Sequence, residues 1–163
     1  MATNTLIQYL ETSAYPADQR DGASTPVGFG VMNRRQVETF VAGGTITANQ
    51  LVAIDLSQTG LGVKAGTVVP ADSASGNTVI AVGFALNGAA QGENVDVTIA
   101  GVHETADIKA AETIAVGDRL KVSDSAGDAA EYANSDTVPV LGYAMTAASG
   151  SPLTCSVFVI KQF

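Results

Sequence analysis

Tryptophan is absent from this 163-residue chain, cysteine and histidine occur once each, and charged residues make up only 15%. Each shortage excludes something. With Cys155 alone, no intrachain disulfide can form. One cysteine and one histidine far apart in sequence give no zinc-ligand spacing. Any Ser-His-Asp or Cys-His site would have to use His103, and the chain has no Gly-x-Ser-x-Gly elbow to supply a nucleophile. No apolar stretch reaches the length that spans a bilayer. Met1-Ala2-Thr3-Asn4-Thr5 lacks the basic start of a secretory signal, and no apolar segment follows it. The chain is therefore expected to be made in a cytoplasm, with no membrane partner.

The charges that are present are unevenly placed. Residues 1–36 hold Arg20, Arg34 and Arg35 against Glu11, Asp18 and Asp21, whereas residues 37–163 hold the other 5 basic and 13 acidic groups, a balance of 5 − 13 = −8. Such a body has no basic footprint for a phosphate backbone, so no direct nucleic-acid partner is expected. Hydrophobic residues are 46% of the chain and Gly numbers 17, with Ala, Thr and Val recurring throughout. Small and β-branched residues with frequent glycine favour short strands and tight turns.

The first 36 residues read differently from the rest. Thr5–Thr12 has the pattern of a short helical turn, and Ser13–Arg35 is broken by Pro16, Gly22, Pro26, Gly28 and Gly30 with no sustained period. From Gln36 onward the pattern is β. Strands are expected at Val37–Val41, Gln50–Asp55, Gly62–Lys64, Thr67–Val69, Thr78–Leu86, Val95–Ile99, Leu120–Val122, Val138–Met145 and Thr154–Ile160. Gly83 marks a bulge or a point of close packing. Only Asp107–Ala115 reads as a helical turn. The fold class is all-β: a small two-unit barrel or sandwich over 37–163, with an extended, mostly irregular arm over 1–36.

An internal repeat carries most of the information in the body. Leu51-Val52-Ala53-Ile54-Asp55 resembles Leu120-Lys121-Val122-Ser123-Asp124, and each follows a Thr-Ile pair, Thr45-Ile46 or Thr113-Ile114. Val82-Gly83-Phe84-Ala85-Leu86 resembles Leu141-Gly142-Tyr143-Ala144-Met145. Ala89-Ala90 and Gly92 then match Ala147-Ala148 and Gly150, and the alternating strands Val95–Ile99 and Cys155–Val159 close the two units. Their division falls at about 37–103 and 104–163. The second alternating strand puts Cys155, Val157 and Val159 on one inward face, which makes the thiol inert.

Motifs that imitate chemistry fail on spacing. Asp124-Ser125-Ala126-Gly127-Asp128 places Gly fourth and Ala at a ligand position, so it is a β-turn and not a calcium loop. Gly28-Phe29-Gly30 and Gly60-Leu61-Gly62 lack the third glycine and following helix of a dinucleotide site. No catalytic residue, metal ligand or cofactor is assigned.

The order of these units resembles the capsid decoration, or cement, proteins of tailed bacteriophages. The residues that carry it are Ala90-Gln91-Gly92-Glu93 before an alternating Val-x-Val strand, Gly101-Val102, and Ile114-Ala115-Val116-Gly117-Asp118-Arg119-Leu120 as the entry turn of the second unit. The resemblance implies a non-enzymatic structural protein, usually trimeric, on the outer surface of the virion head. Its partners would be the major capsid protein and its own copies, with neighbouring capsid subunits tied together against internal DNA pressure. On that reading the arm residues Leu6, Ile7, Tyr9, Leu10, Tyr15, Val27, Phe29, Val31 and Met32 would grip the capsid or a protomer. Arg34 and Arg35 would pair with acidic groups there. The alternative is a β-sandwich module that binds carbohydrate or a host surface, as on a phage fibre or adhesin. The absence of Trp and the presence of only four Tyr argue against it. A small hydrolase is disfavoured by the lone histidine.

Overall fold

The alternating run that begins at Val95 extends well past its expected end. It forms β5 (Asn94–Asp107), the 14-residue strand on which the body is built. The computed structural model describes residues 35–75, 80–134, 136 and 138–161. Among them the remaining strands are β1 (Gln36–Ala42), β2 (Leu51–Ile54), β3 (Thr67–Pro70), β4 (Ala81–Ala85), β6 (Arg119–Val122), β7 (Ala129–Glu131), β8 (Gly142–Ala144) and β9 (Thr154–Val159). A six-residue helix, α1 (Leu61–Gly66), lies between β2 and β3.

β1, β3, β2, β4 and the first part of β5 neighbour one another in that order, and β1 pairs again with β5, closing a five-stranded barrel. Its pairings are antiparallel except β1–β3. Past Ala100, β5 leaves β1 and pairs with β9, and β8, β6 and β7 follow. A parallel bridge between Ile108 and Ala129 stands where β1 meets β3 in the barrel. One pairing scheme thus occurs twice, and the boundary expected between residues 103 and 104 falls inside β5.

Register shows how the two halves correspond. Val52 lies opposite Gly83 as Leu120 lies opposite Gly142, and Phe84 opposite Thr98 as Tyr143 opposite Phe158. The Ala89 N–H donates to the Ile46 carbonyl at 2.9 Å, and the Ala148 N–H to the Ile114 carbonyl at 3.0 Å. The structural match of Leu120 is therefore Val52, one residue beyond the Leu51 that sequence similarity selects. The two glycines share a task. A Cβ on Gly83 would sit 1.9 Å from the Thr98 carbonyl oxygen, and one on Gly142 would sit 2.2 Å from that of Phe158. Only glycine lets these strands come so close.

Two apolar cores follow from this arrangement. Phe40, Ile46, Val52, Val68, Val95, Val97 and Ile99 fill the barrel. The opposite faces of β2 and β4, with Leu51, Ala53, Ala81 and Phe84, join Ile108, Ile114, Leu120, Leu141, Cys155 and Val157 in the second core. β2 and β4 are thus covered on both sides, which is why they read as unbroken apolar runs.

Several elements differ from expectation. Gly62–Lys64 is part of α1 and not a strand, because both edges of β2 and of β3 are already paired. Asp107–Ala115 forms no helix. The Ile108 N–H donates to the Leu153 carbonyl and the Lys109 N–H to the Ala129 carbonyl, so these donors serve other segments. Within Val138–Met145 only Gly142–Ala144 is strand, and β7 has no counterpart among the expected strands.

Candidate functional site

The residues that sequence reasoning weighed for chemistry are occupied with structure. His103 is buried at 2% exposure and stacks on Phe84, with ring centroids 5.3 Å apart. Its Nε2 lies 2.9 Å from the Thr105 carbonyl oxygen, which can only accept, so Nε2 carries the hydrogen. Nδ1, 3.2 Å from Thr98 Oγ1, then accepts from that hydroxyl. Burial, with the charge of Arg35 adding to it, pushes the imidazole pKa down to about 4 against the opposing bond to Thr105. His103 is a neutral, doubly bonded core group, bonded locally and shielded from solvent.

Cys155 is buried beside Val157 and Val159, and burial pushes its thiol up to about 11. Asp124–Asp128 contains the expected turn: Asp128 N–H donates to the Ser125 carbonyl at 3.1 Å, and Ser125 Oγ donates to the Asp128 carboxylate at 2.7 Å. A polar groove nearby is crossed by the ion pairs Lys109–Asp124 at 2.6 Å and Lys121–Asp136 at 2.8 Å, so its cations and two of its carboxylates neutralise each other. Among the described residues no cluster of three or more His, Cys, Asp or Glu side chains is arranged to hold a metal ion.

What the body does present is surface. One feature is the connection from β2 to β3, which in the first half carries α1 where the second half has only a short turn between β6 and β7. Asp55 stiffens its start. Ser57 donates to Asp55 Oδ1 through N–H at 3.0 Å and through Oγ at 2.6 Å, and Gln58 Nε2 donates to Oδ2 at 2.7 Å. These bonds, led by that of Gln58, hold the Asp55 carboxyl below its ordinary pKa. The segment they anchor exposes Leu61 at 86% and Val63 at 55%. A second feature is the outward face of β8 and β9, where Tyr143 and Phe158 stand directly opposite each other and are each 42% exposed. Val102 continues this row on β5 and Arg119 on β6, the guanidinium lying 4.8 Å from the Tyr132 ring centre.

Neither feature was singled out from sequence. The signal for the first was Leu61 and Val63 between glycines. For the second it was aromatic residues at the outward positions of otherwise alternating strands. Of the expected contact residues, Leu6, Ile7, Tyr9, Leu10, Tyr15, Val27, Phe29, Val31, Met32 and Arg34 lie outside the described residues. Arg35 stands at the entry to β1, partly buried, with its charge felt at His103.

An exposed apolar surface of this kind suits assembly, and comparison with known families points the same way. Residues 32–159 match the family model described as phage cement protein. The chain belongs to the phage cement protein family. Membership makes this cement-family chain a structural protein of the phage head, associated with the capsid. Among curated proteins none matches it. Among solved structures it is similar to the head fiber gp8.5 N base of bacteriophage phi29, at 18% identity and a TM-score of 0.51, covering 77% of this chain and 94% of that one. That likeness extends to the fold of the cement body.

Proposed function

We propose that this chain is a decoration protein that sits on the outer surface of the phage head as a homotrimer and ties neighbouring subunits of the major capsid protein together. The observation that carries this reading is the family match over 32–159. The body is the scaffold of the device: two β units sharing β5, each filled by a cluster of buried apolar side chains. Residues 1–36 supply the grip, through Leu6, Ile7, Tyr9, Leu10, Tyr15, Val27, Phe29, Val31 and Met32, with Arg34 and Arg35 pairing to acidic groups. The family match begins at residue 32, so Leu6 to Val31 of this set lie before the stretch the family shares and Met32, Arg34 and Arg35 within it.

The physics suits a mechanical role without catalysis. Each apolar contact contributes about 25 cal/mol per Å² before the cost of association is subtracted. A trimer engages three sites at once, so contacts of modest strength combine through effective concentration. An acidic body with a balance of −8 over 37–163 keeps the outer surface soluble and repels released DNA.

A truncated chain starting at Gln36 tests the reading. It is expected to keep a β-type circular dichroism spectrum and a cooperative melt while binding undecorated capsids far more weakly than the full chain. Binding at full strength would move the grip to the body, and loss of folding would make residues 1–35 part of the core.

A further inference from the structure

A ring with an odd number of subunits cannot close through a patch that meets itself, because self-complementary contacts end at two copies. Each chain of a trimer needs two different, mutually complementary patches. The described body carries two separate groups of large apolar side chains in contact with water. One belongs to the connection from β2 to β3: Leu56, Leu61 and Val63. The other belongs to β8 and β9: Tyr143, Phe158 and Met145, with Val116 beside them through the bond from Gly117 N–H to the Ala144 carbonyl at 2.8 Å.

Two further observations point to another copy of this chain as the occupant. Tyr143 and Arg119 occupy the places that Phe84 and Leu51 hold in the first half. There both residues are wholly buried in the second core, under this chain's own second half. This face of the repeated unit already serves as a contact with another unit of its own kind. The second observation is electrostatic. Residues 37–163 hold 13 carboxylates, so two copies repel each other wherever acidic surfaces meet. Residues 56–66 contain no acid and a single cation, Lys64, and residues 142–145 and 154–160 contain no charge at all. The helix connection and the Tyr143–Phe158 row thus stand on strands and turns without carboxylates of their own, the nearest acids to the row being Asp118 and Glu104 at its edges.

We infer that α1 of one copy seats on the outward face of β8 and β9 of the next, head to tail, and that this contact closes the trimer. The inference rests on the homotrimer reading above. Leu61 and Val63 meet the row formed by Tyr143 and Phe158, and Arg119 stands at the rim, an aromatic centre with an arginine border that is common in protein interfaces.

Sedimentation velocity on the full-length chain tests it, with the wild type, Leu61→Glu and Phe158→Glu compared at one concentration. Each single variant is expected to sediment as a monomer with the circular dichroism spectrum of the wild type. The double variant Leu61→Lys/Phe158→Glu places opposite charges across every contact and is expected to recover the trimer. Should a charged variant fail to fold, Leu61→Ser and Phe158→Ser replace it, each expected to weaken trimerisation at least about tenfold. A trimer undiminished in the single variants overturns the inference and leaves the trimer reading standing. Dissociation in only one of the two overturns the head-to-tail pairing. A wild type that sediments as a monomer overturns the inference, and one that is monomeric on particles as well ends the trimer reading too.

Discussion

His103 on the second part of β5 lies stacked against Phe84 on β4, the planes 23° apart, so a titratable ring packs where the two halves of the body meet. Both ring nitrogens are committed, one to Thr105 and one to Thr98. Adding a proton puts a charge into that contact, which is why the imidazole pKa falls to about 4 from the ordinary 6.5. The unfolded chain takes up a proton below 6.5, and the folded chain does so only near 4. Stability from this group is therefore complete above about 6.5 and declines as the pH falls toward 4, by roughly 3 kcal/mol in all. Urea unfolding of wild type and His103→Gln from pH 7.5 to 4 should show the slope in the former and its loss in the latter. Parallel curves would mean that folding leaves the imidazole pKa where the unfolded chain has it.

The contacts of Gly83 and Gly142 make a second prediction. An added Cβ would strike backbone, 1.9 Å from the Thr98 oxygen or 2.2 Å from that of Phe158, and backbone in a paired strand cannot step aside. Gly83→Ala and Gly142→Ala should each cost at least about 2 kcal/mol by chemical denaturation. Gly62 has nothing within 4 Å of its added Cβ and lies in α1. Gly62→Ala should be neutral or stabilise by up to about 1 kcal/mol.

How far the sequence carried this picture depends on which faces are covered. In β6, Arg119-Leu120-Lys121-Val122, polar and apolar residues alternate, and the alternation fixes which side chains turn inward. In β2, Leu51-Val52-Ala53-Ile54, the outward face is buried by the second half, so no alternation survives to set the phase. Matching leucine to leucine then shifts the repeat by one residue, and only the pairing of Val52 with Gly83 and Leu120 with Gly142 corrects it. The same coverage explains why the repeat itself was legible. Gly83 and Gly142 serve one steric need, and Ile46 and Ile114 one backbone bond, so the same residue types recur. The exposed row at Tyr143 and Phe158 was not legible, because a strand's period tells which residues share a face and not what covers that face.

Cys155 should prove unreactive. Its thiol lies in the second core, and burial raises its pKa to about 11, so little thiolate exists at neutral pH and a reagent cannot reach it. Ellman's reagent should label it in denaturant within minutes and in buffer only at the rate of unfolding. Fast labelling in buffer would show that β9 opens locally.

One type of turn recurs among the described residues. Ala90–Glu93, Ala115–Asp118 and Thr47–Gln50 each close with the fourth residue's N–H donating to the first residue's carbonyl, at 3.0, 3.2 and 3.4 Å. In each, the first residue's N–H donates back to the fourth side chain: to Glu93 Oε2 at 2.8 Å, Asp118 Oδ2 at 2.7 Å and Gln50 Oε1 at 2.9 Å. In each, the third residue is left-handed: Gly92, Gly117 and Asn49, with φ of 85°, 91° and 75°. The glycine-acid pairs were visible in sequence, whereas Asn49-Gln50 hid the same turn behind different residues of like capability. Two expectations separate the roles of the two positions. Asn49→Gly should hold or slightly raise stability, since glycine meets the left-handed requirement at no steric cost, and Gly117→Val should lose about 1–2 kcal/mol because a branched side chain cannot. Asp118→Ala removes one exposed bond to a backbone donor that water can replace, and should cost no more than about 1 kcal/mol. Urea midpoints for the three variants check this ordering. If Asp118→Ala proves costlier than Gly117→Val, the side-chain bond governs the turn and the backbone conformation follows it.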